Sequence, residues 1–198
     1  MKSAAFGRLV AGPVGSGKTT SCIMELFRRS LEQEKAPDGY RYTRFAVVRQ
    51  TLKQLKDTVL KDIMKELEGL CTYRVTDNLI LVEFGDIRSE WLLIPLEDPE
   101  DQRRLLSMQL TGAWMSECIE MQVKLVAALS GRCGRYPSGN KGYCTWRGVI
   151  ADTNMPSEGS DWHKFMTDPN NTEWEIFLQP GGLEEHAENL MWLNQTAE

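Results

Sequence analysis

The sequence predicts an α/β fold with a mostly parallel central sheet and helices on both faces. Three observations carry this expectation. Apolar runs of strand length alternate with segments whose apolar residues recur at helical spacing. The first run leads through a glycine-rich stretch, AGPVGSGKTT (11–20), straight into the first helical pattern. Two later runs, GAWM (112–115) and GVIA (148–151), end in polar residues. Parallel sheets gather their ligand-binding groups at such carboxyl ends.

The elements follow in order. FGRLVAG (6–12) reads as a short buried strand, and TTSCIMELFRRSLEQ (19–33) as a helix with Ile23, Leu26, Phe27 and Leu31 at helical spacing. KAPDGYRYT (35–43) is a loop by its Pro, Asp and Gly, and RFAVVRQ (44–50) a buried strand. The stretch 51–70 is an amphipathic helix with Leu52, Leu55, Val59, Ile63, Leu67 and Leu70 on one side. YRVTDNLILVEF (73–84) reads as a hairpin turning at Asp77-Asn78, with IRSEWLLIPL (87–96) as a third strand beside it. A short helix follows Pro99 within 97–108. LTGAWMSE (110–117) is a strand ending in a carboxylate, 119–131 a helix closed by Gly131, and 132–145 a loop. WRGVIADTN (146–154) is a buried strand, 154–161 a loop, WEIFLQ (174–179) a strand and EEHAENLMWLNQ (184–195) a helix.

The glycine-rich stretch has the spacing G-x-x-x-x-G-K-T, and its residue types suit a triphosphate. Glycines 12, 15 and 17 let the backbone turn tightly and bring successive N–H groups toward phosphate oxygens. Lys18 can reach the β and γ phosphates, the Thr19 hydroxyl can bind Mg²⁺, and the helix that follows turns its positive end to the anion. Gly12, Pro13, Val14, Gly15, Ser16, Gly17, Lys18, Thr19 and Thr20 are thus the candidate nucleotide-binding residues.

Composition narrows the alternatives. The chain has 198 residues, 41% hydrophobic and 26% charged, an ordinary globular mix with room for one sizeable core. No run of apolar residues is long enough to span a membrane. The five cysteines form no C-x-x-C and the histidines are two, which favours reduced thiols over a zinc site. A net charge of −5 argues against non-specific nucleic-acid affinity of the whole surface, so any grip on nucleic acid comes from a local basic patch or from segments outside these residues.

Hydrolysis of a triphosphate also needs a metal site, a group that orients the attacking water and often an arginine. Two strand ends offer acids: Ser116-Glu117 and Asp152. By residue type Asp152 is the better metal-side acid, and spacing does not choose between them.

Six blocks, GPVGSGKTT, VVRQTLKQLKDT, LTGAWMSE, LSGRCGRYP, GVIADTNMP and FLQPGGLEEHAENL, occur in that order. Together they make the chain similar to the ATPase domain of tailed-phage large terminase subunits, the motors that pump DNA into empty capsids. The resemblance implies a P-loop NTPase of the glutamate-bearing (ASCE) class, using ATP and Mg²⁺. A catalytic strand would stand between the strand of the phosphate loop and that of the Walker B motif, and the interval from Lys18 to Glu117 has room for it. Glu117 would be the Walker B glutamate that polarises the attacking water. Asp152, Thr153 and Asn154 would form the coupling motif that senses the γ phosphate. Implied partners are double-stranded DNA, the portal of the procapsid, the small terminase subunit and further copies of the chain in a ring, all in the host cytoplasm and away from membranes.

The chain departs from that pattern at Ser116, where an Asp is usual. Mg²⁺ would then rest on Thr19 directly and on Ser116 through a water. The adenine-contacting segment upstream and the nuclease domain downstream are missing from these residues. The expectation is a single domain, 1–198, cut from a longer protein, monomeric by itself and weak in ATP affinity.

The resemblance implies an arginine finger given to a neighbouring subunit at Arg103 or Arg104, with Arg132 and Arg135 as rivals. Without that role, the DQRR cluster is a solvated helix face with charge partners one turn away. Arg49, Lys53 and Lys56 could face nucleic acid or solvent, and most tryptophans read as core. A small-molecule or nucleotide kinase with GRCGRYPSGNKG as a mobile lid, and a non-catalytic nucleotide-binding scaffold, are the competing readings.

Overall fold

The computed structural model describes residues 5–179. Eight strands form one sheet in the order β3-β4-β5-β2-β6-β7-β1-β8. They are β1 (Gly7–Ala11), β2 (Arg41–Arg49), β3 (Cys71–Arg74), β4 (Leu79–Phe84), β5 (Ile87–Pro95), β6 (Gly112–Met115), β7 (Gly148–Thr153) and β8 (Trp174–Leu178). From β5 to β8 every pairing is parallel, and β3 and β4 add an antiparallel edge. The β3–β4 turn passes through Asn78 in the left-handed region (φ 49°), a conformation Asn tolerates, so the hairpin turns where expected.

The inner parallel strands β1, β6 and β7 are buried on both faces, and period-two alternation sorts the sheet's residues. Ala46, Val48, Ala113, Met115, Val149 and Ala151 pack on one side with α4 (Pro99–Leu106), α5 (Lys124–Ser130) and α6 (Asp161–Thr167). Phe45, Val47, Trp114 and Ile150 pack on the other with α1 (Lys18–Glu32), α2 (Leu52–Gln54) and α3 (Leu60–Glu66). Trp91, Trp114 and Trp162 are buried, and Trp146 and Trp174 pack against the two cores. Trp192 and the expected helix 184–195 lie outside the described residues.

Several boundaries differ from expectation, each for a physical reason. β2 starts at Arg41, inside the expected loop 35–43, because its first residues pair in register with β5. The expected helix 51–70 ends at Glu66, and residues Leu55–Val59 form a π turn between α2 and α3. Its buried residues Leu55, Val59, Ile63 and Leu67 recur every four positions. An ideal α-helix turns such a stripe by about 40° per step, and the wider π turn unwinds that drift and keeps the stripe on the sheet.

The helix expected at 119–131 begins only at Lys124. A short 3₁₀ turn at Cys118–Glu120 precedes it, then extended Met121, whose carbonyl accepts from the Trp162 indole at 2.7 Å. Trp162 belongs to α6, a helix the sequence reading missed. Its signal was Ser160, which caps the helix through the His163 N–H, ahead of Trp162, Phe165 and Met166 at helical spacing. In α1, Leu31 is exposed, and the buried stripe is Cys22, Ile23, Glu25, Leu26 and Ser30.

Candidate nucleotide site

The carboxyl ends of β6, β7 and β1, three adjacent strands, bring the expected site residues to one edge. The loop 12–17 leaves β1 and turns into α1 through Gly15 (φ 78°) and Gly17 (φ 75°), which an L side chain would strain. Gly17 caps α1, no side-chain cap hydrogen bond is made there among the described residues, and its first turn holds no acid. Its uncapped N–H groups and dipole therefore face the loop unneutralised.

Lys18 is buried, and its ammonium donates to the carbonyls of Gly12 (3.0 Å) and Pro13 (2.7 Å) and to Oδ1 of Asn154 (3.2 Å). The last bond joins the loop to the end of β7, and Gly12 N–H donates to the Thr153 carbonyl at 3.2 Å beside it. The Ser16 hydroxyl donates to the Pro13 carbonyl. Val14 is exposed, and Thr19 is half-buried with no hydrogen bond from its hydroxyl among the described residues. The Thr20 hydroxyl donates to Glu66 of α3 at 3.3 Å.

Gln179, at the end of β8, was missed. Its amide donates to the Ser16 carbonyl at 2.9 Å, and a Cβ at Gly12 would fall 2.7 Å from the Gln179 Cβ. The signal was available, since Gln179 is the polar end of an apolar strand, the same feature that pointed to Glu117 and Asp152.

Glu117 follows β6 with φ 49° and ψ 55°. A left-handed non-glycine residue costs about 1–2 kcal/mol, and such strain recurs where structure fixes a functional side chain. Half-buried Glu117 stands one strand from the Lys18–Asn154 contact. Asp152 lies on β7, fully buried, with Oδ1 accepting from the Trp114 indole at 2.5 Å and Oδ2 in no well-formed hydrogen bond among the described residues. Burial pushes its carboxyl from an ordinary 3.8 up to about 7; the Glu117 charge adds to this, while the Trp114 hydrogen bond, the Lys18 charge and the Glu117 backbone N–H oppose it.

The folded protein thus holds this proton more tightly than the unfolded chain does. The resulting stabilisation is full below pH 3.8 and is lost as pH rises through about 7. Between pH 4 and pH 8, wild type is expected to lose about 4 kcal/mol relative to Asp152→Asn. Denaturant unfolding of both proteins, free of nucleotide and divalent cations, checks this; parallel pH profiles would contradict it.

Other expected contributors fall elsewhere. Arg103 and Arg104 are exposed on α4, and neither guanidinium is ion-paired among the described residues, so the expected charge partners do not form. Arg49 is engaged by Glu120 (3.3 Å) and Thr58 (2.7 Å), which leaves Lys53 as the exposed cation of that segment. Segment 132–145 lies at the opposite edge of the sheet. Thr111, at the amino end of β6, donates to the Tyr136 carbonyl at 2.9 Å, and Gln33 and Glu34, at the far end of α1, hold Tyr143 and Thr145. Arg132 and Arg135 sit there too, so this segment is no lid over the phosphate loop.

A strand does stand between β1 and β6, but it is β7, which follows Glu117 in the chain; the interval from Lys18 to Glu117, expected to have room for it, builds β2 to β5 on the far side of β6 instead. The fold is the α/β P-loop NTPase fold expected from the sequence. More narrowly, it is the fold of phage packaging ATPases. The large terminase of a thermophilic bacteriophage matches with a TM-score of 0.65 at 16% identity over 88% of this chain, and has also been solved with ADP. The large terminase ATPase domain of Thermus phage P74-26 matches at 0.57 and 15% identity, covering 89% of this chain and 76% of that one. The N-terminal domain of the bacteriophage phi29 packaging ATPase matches at 0.54 and 13% identity, covering 94% and 93%. At such identities the likeness is one of fold. The chain spans 40% of the length of the thermophilic phage's terminase. No family model and no curated protein matches it.

Proposed function

We propose that this chain hydrolyses ATP as the motor domain of a phage or prophage large terminase, driving double-stranded DNA through a portal into a procapsid in the host cytoplasm. The observation that carries this reading is the Lys18–Asn154 bond between the phosphate loop and the end of β7, with the strained Glu117 at the end of the adjacent β6, in a fold shared with packaging ATPases. Further copies of the chain in a ring and a small terminase subunit complete the proposed assembly.

The residues suit a magnesium nucleotide. The hydroxyls of Thr19 and Ser116 and the Oδ2 of Asp152 are hard oxygen donors. A divalent cation, when bound, would neutralise phosphate charge. Lys18 exchanges its loop carbonyls for β and γ phosphate oxygens, while the loop N–H groups and the α1 N-terminus bind the remaining charge. Glu117 accepts a hydrogen bond from the attacking water and aims its lone pair at the γ phosphorus. The bond from phosphorus to the bridging oxygen breaks, ADP leaves, and phosphate carries the added oxygen. Asn154, bonded to Lys18, senses the loss of the γ phosphate and passes it to β7.

DNA and portal rings are expected to stimulate turnover several-fold, whereas phosphoryl transfer to a small acceptor by the monomer would contradict this function. The arginine finger has its own test. Mixing Glu117→Gln subunits with Arg103→Ala or Arg104→Ala subunits is expected to restore turnover that neither protein shows alone. Mixed rings that stay inactive for both arginines would refute a finger at these positions.

A further inference from the structure

We propose that Asp152 supplies, from the neighbouring strand, the carboxylate that position 116 lacks, and holds the hydrated divalent cation beneath the phosphate loop. This deepens the proposed function and rests on it. The register carries the argument. Met115 of β6 pairs with Ala151 of β7, so the next rung sets Ser116 beside Asp152, and that rung also pairs Asp152 with Val10 of β1. Residues on one rung of a parallel sheet share a face. By alternation from Ile150, that face lies under α1, the helix that opens with Lys18 and Thr19. Asp152 therefore lies between the strand that leads into the loop and the strand that ends in Ser116-Glu117.

Its environment fits a ligand role better than a structural one. Oδ1 is satisfied by Trp114, while Oδ2 meets no well-formed hydrogen bond among the described residues although the residue is fully buried, its one backbone donor being the neighbouring Glu117 N–H. An unmet buried acceptor forfeits its full hydration, and buried polar groups are satisfied in the great majority of folds. Lys18 bonds to Asn154 and the Gly12 N–H bonds to the Thr153 carbonyl, so the phosphate loop is tied to the end of the strand that bears Asp152. Trp114 fixes the carboxyl and leaves one oxygen to orient a metal-bound water, the task an Asp at position 116 would perform.

The test measures binding of ADP to the whole chain by calorimetry, with and without Mg²⁺. Wild type is expected to gain affinity with Mg²⁺. Asp152→Asn keeps an oxygen for Trp114 but is expected to lose about nine-tenths of that gain, since a neutral group holds a hydrated cation poorly. The double variant Asp152→Asn/Ser116→Asp, which moves the carboxylate back one strand, is expected to recover it. A full Mg²⁺ gain in Asp152→Asn, with ADP bound, overturns the role of Asp152 alone. Absence of ADP binding by wild type under both conditions overturns this proposal together with the ATPase reading.

Discussion

Replacing Glu117 with glutamine is expected to lower ATP turnover about a thousandfold or more while leaving nucleotide affinity within a few-fold of wild type. The amide can still accept a hydrogen bond from water, but it lacks the charge that polarises the nucleophile, and positioned general bases contribute about 10²–10⁴-fold. Folding should change by less than about 1 kcal/mol, because Gln meets the same left-handed backbone at φ 49° that Glu does. The contrast between lost turnover and retained affinity is the informative part. A drop in affinity matching the drop in turnover would instead make Glu117 a binding residue.

Glu25→Ala is expected to destabilise the protein by about 3–5 kcal/mol, the cost of stripping the partner from a buried charge. Arg8, in the strand that feeds the phosphate loop, is fully buried and ion-paired with Glu25 on α1, with its guanidinium 5.2 Å from the Trp146 ring. Glu25 also accepts from Arg28 and Arg29. Burial pushes its carboxyl up, but the hydrogen bonds from Arg28 and Arg8 outweigh this and hold it below the usual range. Two guanidinium nitrogens of Arg8 already lack partners, so loss of Glu25 would leave the cation stranded. The double variant Arg8→Met/Glu25→Leu should recover much of the loss, because it removes both charges and fills the space. Chemical denaturation of the three proteins measures this; equal stability of Glu25→Ala and wild type would contradict it. The pair also joins β1 to α1, the two elements between which the loop is strung.

Local pattern made much of this molecule legible. The alternating apolar runs gave β1, β2 and β5 to β8, the glycines gave the phosphate loop, and polar residues after GAWM and GVIA pointed to the edge where Lys18, Glu117, Asp152 and Asn154 gather. What stayed hidden depends on partners distant in the chain. Nothing near residue 148 reveals that β7 slots between β1 and β6, or that Ser116 and Asp152 share a rung. The four-residue stripe from Leu55 to Leu67 is written in the sequence, but its answer, a π turn, follows only from packing on the sheet. Segment 132–145 looks like a lid by composition, yet Thr111 and Gln33 tether it to the far edge. Arg8 and Glu25 each interrupt an apolar pattern, and only together do they explain one another.

The most direct test of the central claim is a crystal structure of the protein with Mg²⁺, ADP and beryllium fluoride, which mimics the terminal phosphate. The account predicts the fluoride group about 3 Å from the Lys18 ammonium, with the Glu117 carboxylate reaching it through a single water. A nucleotide bound away from residues 12–19, or a bound complex with Glu117 turned to bulk solvent and another carboxylate facing the fluoride, would contradict it.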